Sequence, residues 1–450
     1  MNYTQALEYL DTFVNIERSQ QTRATRAVIT LDRVREIARR LGNPERRFRS
    51  LHVAGTKGKG STCAFLASIL RAAGLKTGLY VSPHLQDLRE RISIDGRQIS
   101  PEDFARIMTQ CSPVLEEMRV PPKGERRPTY FEVLTHLAFT WFAEQNVDAA
   151  VIEVGLGGRL DATNIITPEV CGISHISYDH TAILGETLDL IAREKAGIMK
   201  PGVPVVIAPQ VQEAEDALRE CARRMEAPVT WVDSDLRLEC ISDGGVSSLP
   251  RARVSWTDCR VCEATLGLRG SFQCQNWGLA VGMAEEFYRR VRGSALPLPA
   301  IVRGSREVSW PGRMEFIEAT AKPRVILDGA HNDHSVSTVL NEVLRDPGVR
   351  KPVVVLFACA KDKNSRAMLQ VLSRADARVI FTTSGSTRSR DPQELAVEWR
   401  EVSKSDATCE MDLAKAFALA QHEATESGTV LVIGSLYLVG AMKDLCGAKL

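Results

Sequence analysis

The sequence predicts an α/β chain of two domains: a larger N-terminal one on a doubly wound, mainly parallel sheet, and a smaller Rossmann-like α/β domain after it. Three observations carry this expectation. Apolar runs that end in glycine or a polar cluster alternate with helical patterns through the first three hundred residues, the alternation that parallel strands joined by crossover helices require. The stretch LPLPAIVRGSREVSWPG at 296–312 breaks that rhythm with three prolines. Beyond it the alternation restarts.

Residues 50–54, 78–81, 148–154, 170–176 and 203–208 read as strands. Between the first two, Leu66, Ile69, Leu70 and Ala73 fall at helical spacing within 61–73, and Leu134, Leu137, Ala138, Trp141 and Phe142 mark one face of a helix ahead of the third. The stretch 236–268 is strand-like, punctuated by Asp243, Gly244 and Gly245, and reads as a small β addition closing a domain over 1–300. Residues 301–312 are expected to be a linker. Residues 313–450 would form the second domain, with strands at 324–327, 352–358, 378–382 and 429–433 and helices around 335–344, 393–402 and 413–424.

Composition excludes several function classes. The 450 residues are 44% hydrophobic and 25% charged, and 57 Lys+Arg against 56 Asp+Glu leave a formal charge of only +1. No overall basic field would hold a nucleic-acid backbone or an anionic membrane. The N-terminal MNYTQALEYLDTF is acidic and lacks a continuous apolar stretch, so it reads as neither secretory signal nor membrane anchor, and no later segment is apolar enough to span a bilayer. A cytoplasmic monomer acting on small molecules is the expectation. Eleven scattered cysteines suit a reducing compartment better than a disulfide framework. Cys259 and Cys262 form a CxxC with no second pair nearby, on an expected strand that would point them to opposite faces, which argues against zinc.

The chemistry begins at Ala54-Gly55-Thr56-Lys57-Gly58-Lys59-Gly60-Ser61, between a short apolar strand and a helix. In that setting backbone N–H groups and the helix dipole grip phosphate, and glycines let the backbone come close. Lys59 would place a point charge on the terminal phosphates, and Thr56 and Ser61 offer hydroxyls to phosphate or Mg²⁺. The strict P-loop spacing is not met, because Gly60 intervenes between Lys59 and Ser61 and no glycine stands five residues before Gly58. A Gly/Lys surface turn is the bland alternative.

AGTKGKGS resembles the AGTNGKGS loop of the folylpolyglutamate synthases and dihydrofolate synthases, members of the Mur ligase superfamily. SPHL at 82–85, RERI at 89–92, TYFE at 129–132, EVGLGGRLDATN at 153–164, DHTAILG at 179–185, REKAGI at 193–198, PGR at 311–313 and DGAHN at 328–332 are similar to that family's signatures, in order and across most of the chain. The resemblance implies an ATP- and Mg²⁺-dependent ligase that joins L-glutamate to a folate-type acid: dihydropteroate, reduced folates or both.

Such a reaction needs carboxylate activation by ATP and no protein nucleophile, so the protein must align the reactants and neutralise charge. Glu153 ends a buried-type strand at the sheet's carboxyl edge, where a hard cation would find oxygen. By the resemblance, Glu153, Ser82 and His180 serve the metals, and Lys195 is carboxylated by CO₂ to a carbamate that can ligate a second Mg²⁺. Read alone, Glu153 is a solvated strand end, Ser82 a turn residue, His180 a packing residue, and Lys195 part of the solvated face of a helix at 186–199. Thr129, Tyr130, Phe131 and Glu132, with Leu160 and Asp161, are the implied pterin contacts; Phe131 as a core residue and Asp161 as a cap compete. Asn276, beside Gln273, is the implied adenine-side contact. Arg313 and Asp328 are those that the second domain brings to ATP, unless they simply pair with each other, and His331 with Asn332 would fix glutamate.

Lys57 stands where the family usually has Asn, Asp333 where it has Pro, and His175 and Tyr178 where smaller or apolar residues are common. Two rival functions remain. A peptidoglycan-precursor ligase of the same superfamily is expected to carry a UDP-sugar domain ahead of the phosphate loop, and a loop at residue 55 leaves it little room. A non-catalytic nucleotide switch would need neither Glu153 nor the set Asn276, Arg313 and Asp328.

Overall fold

Strand β1 (Ser50–Ala54, SLHVA) is buried at all five positions, as a central parallel strand covered on both faces must be. It belongs to a computed structural model that describes residues 1–15, 30–119, 127–242, 246–317 and 323–447. The strands that follow are β2 (Thr77–Tyr80), β3 (Ile92–Ile94), β4 (Arg97–Gln98), β5 (Ala149–Glu153), β6 (Val170–Ile173), β7 (Val205–Ile207) and β8 (Val229–Trp231). With β1 they form one eight-stranded sheet in the order β4-β3-β2-β5-β1-β6-β7-β8. Pairing is parallel from β2 to β8 and antiparallel only where β3 and β4 extend the edge.

The connection from β1 runs toward β2 while that from β6 runs toward β7, so the winding reverses beside β1 and opens a crevice at the carboxyl edge. One face of the sheet is covered by Pro101–Glu117, Tyr130–Glu144, Leu188–Ala196 and Gln212–Arg224, through two apolar clusters. The other carries Lys59–Ala72, Gln273–Arg292 and Leu298–Glu307.

The chain divides into two compact units: Met1–Glu239, Ala252–Thr265 and Phe272–Val308 in the first, and Cys240–Arg251, Leu266–Ser271 and Ser309–Leu450 in the second. Two expectations change. The segment read as a linker is largely a helix, Leu298–Glu307, started by its prolines and packed on Lys59–Ala72, with the Ser68 hydroxyl donating to Gly304 O at 2.8 Å. The strand-rich stretch 236–268 does not close the first unit outright. It forms a separate three-stranded sheet of β9 (Arg237–Ser242), β10 (Arg251–Ser255) and β11 (Val261–Thr265), and residues 240–251 count with the second unit. Asp243, Gly244 and Gly245 lie outside the described residues.

The second unit holds β12 (Glu315–Ile317), β13 (Arg324–Leu327), β14 (Val353–Phe357), β15 (Arg378–Phe381), β16 (Thr408–Cys409) and β17 (Thr429–Ile433), in the order β12-β13-β17-β14-β15-β16. Only β12 runs antiparallel. This is the smaller α/β domain that the sequence predicts.

Among the described residues nine cysteines are free thiols, Cys259 and Cys262 among them. Cys259 sits in the turn before β11 with φ of 66°, not on the strand, and Cys262 is buried. Among the described residues no helix is long and apolar enough to cross a membrane.

A Cβ at Gly304 would lie 2.5 Å from Ile69 Cα and 2.7 Å from Ile69 N, backbone atoms that cannot swing aside. Gly304→Ala is therefore expected to cost about 1–3 kcal/mol, read as a lower urea midpoint for the first unit.

Candidate active site

The phosphate loop leaves β1 at Ala54 and turns into the helix Lys59–Ala72 through Gly58, whose φ of 85° is left-handed. A side chain there is excluded twice, because a Cβ would also stand 2.0 Å from Asn276 Oδ1. The amides of Lys59, Gly60 and Ser61 open the helix without intrahelical acceptors, as an anion site needs. Thr56 and Lys57 spend their amides on His175 O at 3.0 and 3.1 Å, and the Thr56 hydroxyl donates to Ser177 O at 3.1 Å. The loop is thus tied to the segment after β6. Lys57 Nζ lies 3.4 Å from Asp179 Oδ2, which reinforces the tie. Asn276 donates to Gln273 Oε1 at 2.9 Å, and Ser61 is buried.

Glu153, the last residue of β5, is only 4% exposed, and its Oε2 accepts the Ser82 N–H at 3.1 Å. The register pairs Val53 with Glu153, so the carboxylate emerges one strand from the phosphate loop. Lys195 is buried, not on a solvated face. Its Nζ donates to Gly55 O at 2.8 Å. Burial first, then the Lys59 charge, pushes its pKa down to about 7, against the pull of Asp179. A buried lysine with so large a neutral fraction can act as a nucleophile. His180 is exposed, in left-handed backbone ahead of Thr181–Leu184, with Nε2 3.7 Å from Asp179 Oδ1.

The expected pterin contacts divide. Thr129 and Glu132 form a reciprocal cap on Tyr130–Glu144, and Tyr130 is buried in the core. Phe131 stays partly exposed and stacks on Tyr80 at 6.0 Å, while Leu160 is half-buried in the turn. Asp161 is buried and caps Ala162–Ile165. Its carboxylate accepts the Leu156 N–H at 2.9 Å and the Thr163 N–H at 3.0 Å. Burial pushes its pKa up and these donors pull it back.

In the second unit Asp328 ends β13 and is buried, accepting the amides of Met314 and Ala330 at 2.8 Å each. Burial raises its pKa, and the charge of Arg313 opposes that. His331 Nδ1 lies 2.8 Å from Gly329 O, to which it donates. Asn332 caps the helix Asp333–Arg345.

The sequence reading passed over three groups. Asp179 faces Lys57, and only its place in DHTAILG marked it. Ser174, whose buried hydroxyl lacks a partner among the described residues, sits where a Cβ on Gly55 would be. Gln210 accepts the Ile176 N–H at 2.9 Å and donates to Ser174 O at 3.1 Å. Nothing in the sequence singles out the last two.

Comparison with known proteins gives two family matches, the Mur ligase middle domain over residues 53–284 and the Mur ligase glutamate ligase domain over residues 312–436. The chain is 34% identical over 417 residues to a dihydrofolate synthase/folylpolyglutamate synthase of Bacillus subtilis, covering 92% of this chain and 94% of that one. It is 30% identical to a folylpolyglutamate synthase of Lacticaseibacillus casei over 100% of both. A Mycobacterium tuberculosis folylpolyglutamate synthase solved with ADP and AMPPCP superposes with a TM-score of 0.87 at 31% identity, over 99% of this chain and 98% of that one.

Gly58→Ala should weaken ATP binding by about tenfold or more, since a Cβ in left-handed backbone alone costs about 1–2 kcal/mol; titration calorimetry beside an unchanged far-UV dichroism spectrum checks this. Lys195 sets a pH dependence of stability. Its folded pKa of about 7 lies below the ordinary 10.5, so between those values the unfolded chain binds the extra proton and stability rises with pH. Lys195→Met should flatten that rise in CO₂-free buffer, measured by urea unfolding across the window.

Proposed function

Because the chain belongs to the folylpolyglutamate synthase and dihydrofolate synthase family of Mur ligases, we propose that its phosphate loop, Glu153 and Lys195 form the centre of one amide-forming active site. The protein is an ATP-dependent ligase that joins L-glutamate to a folate-type acid, with ATP and Mg²⁺ as its cofactors. We read both dihydropteroate and reduced folates as acceptors, since one relative carries both names. The observation that carries the site is the Lys195 Nζ to Gly55 O contact of 2.8 Å, which puts a buried, half-neutral amine against the phosphate loop.

The chain's own groups suit Mg²⁺. Glu153 is a buried carboxylate one strand from the phosphate loop, and Mg²⁺ is held through one or two carboxylates completed by phosphates and water. Glu153, Ser82 and His180 would serve Mg²⁺ and the carbamate of Lys195 would hold a second ion, and bound there the metal would neutralise charge during phosphoryl transfer. Lys59 and the helix amides hold the terminal phosphate, and Arg313 supplies the second unit's cation. The acceptor's carboxylate oxygen takes the γ-phosphoryl group as ADP leaves. The glutamate amine then attacks the acyl carbon of that acyl phosphate, forming the amide, releasing phosphate and losing its proton.

Phe131 and Leu160 are the substrate-facing groups for the pterin, with Thr129, Tyr130, Glu132 and Asp161 setting the walls. Asn276, Asp328 and His331 serve the nucleotide and glutamate as the family resemblance assigns. A monomer in the cytoplasm, without nucleic-acid partners, fits the near-neutral charge.

Dihydropteroate and tetrahydrofolate, each with L-glutamate and MgATP, should both give ADP and a product heavier by one glutamyl residue; no ADP with either acid sinks the reading. Lys59→Ala and Glu153→Ala should abolish ADP release with the fold intact, and near-normal turnover of either removes it from the site. Lys195→Ala should lose most activity and regain part of it with added short carboxylates.

A further inference from the structure

His52 is the one titratable side chain within β1, and it is fully buried. Burial holds its imidazole neutral, with a pKa pushed down to about 3. Nε2 lies 2.8 Å from Thr163 Oγ1, and that hydroxyl donates to Asp161 Oδ1 at 2.5 Å. The direction of the chain follows from the chemistry. Two amides and one hydroxyl aim at the Asp161 carboxylate, so the Thr163 proton goes there and its lone pair receives Nε2–H. Nδ1, without a partner among the described residues, is then a bare lone pair, cheaper to bury than a stranded N–H.

Asp161 in turn holds the Gly155–Leu156 turn, through the Leu156 N–H at 2.9 Å. A Cβ on Gly155 would lie 2.7 Å from Phe131 Cζ and 3.2 Å from Asp161 Oδ2, so the turn is packed between the Phe131 ring and the carboxylate. We propose that His52 and Thr163 are positioning residues: through Asp161 they set the wall of the folate slot against Phe131, and they thereby govern acceptor binding rather than nucleotide binding. This rests on the folate reading of that slot. It gives His52, two strand positions before the phosphate loop leaves β1 at Ala54, a role distinct from phosphate contact.

Thr163→Val keeps the shape but strands both neighbours, removing an acceptor for His52 and a donor for Asp161. The acceptor KM should rise on the order of tenfold, while the KM values for ATP and glutamate stay within about twofold. Thr163→Ser should restore the acceptor KM, His52→Leu should reproduce the valine variant, and His52→Gln, which keeps an N–H donor, should fall near wild type. An unchanged acceptor KM in Thr163→Val, or equal losses for all three substrates that serine does not rescue, overturns the proposal. Hydrogen exchange of the peptide covering 155–164 provides an arm independent of turnover. Faster exchange in Thr163→Val or His52→Leu but not in Thr163→Ser is expected, and no difference among them refutes the relay. A wild-type chain that releases no ADP with any folate-type acid would sink the functional reading instead, and the exchange arm would still decide the relay. If Thr163→Val does not fold, the two His52 variants carry the same test.

Discussion

A lysine ammonium buried against a carbonyl in the neighbourhood of two more lysines is a costly arrangement, and the site is organised around relieving it. Lys195 has the Gly55 carbonyl as acceptor and Asp179 as its main opposing charge, with Lys59 and Lys57 working against its protonation. The balance leaves an amine near neutrality where a charged side chain would otherwise demand water. Its placement depends on close packing. A Cβ on Gly158 would stand 2.7 Å from Glu194 O, and one on Gly197 would stand 2.3 Å from Arg159 Cβ. The glycines of EVGLGG and KAG therefore let the turn after β5 lie on the helix that delivers Lys195.

The polar groups at the carboxyl edge mostly hold backbone. Thr129 and Glu132 cap a helix, Asp161 holds a turn, Asn164 donates to Arg159 O and Gly197 O at 3.0 and 2.9 Å, and Asp328 binds two amides in the second unit. On the proposed reading of the site, few groups face the reactants, and those few are held by backbone partners. A motif such as LDATN is thus explained as much by framing as by contact.

The departures from the family pattern have local reasons. Lys57 brings a cation to Asp179, joining the phosphate loop to the segment after β6 by a charge pair as well as by the His175 and Ser177 carbonyls. His175 ties the loop through its carbonyl, and its ring Nδ1 lies 3.3 Å from Pro209 O. Asp333 opens the helix Asp333–Arg345, where a carboxylate complements the positive end of the dipole. Nothing in the structure explains Tyr178, which is exposed.

The sequence by itself determined the two α/β units, the position of most of the strands it named to within a residue or two, and the strand-to-helix setting of the phosphate loop, because periodicity and glycine placement are local properties. It misread 296–312, where proline starts a helix as readily as it breaks one, and it assigned 236–268 to one unit although the chain divides there. Only the tertiary structure decided that Lys195 is buried and Cys259 stands in a turn. Only it showed that Asp161, Thr129 and Glu132 support backbone, and that His52 and Thr163 meet across more than a hundred residues of chain. Burial and partner choice are set by segments far apart in sequence, and a charge acquires its pKa and its task only from what is packed around it.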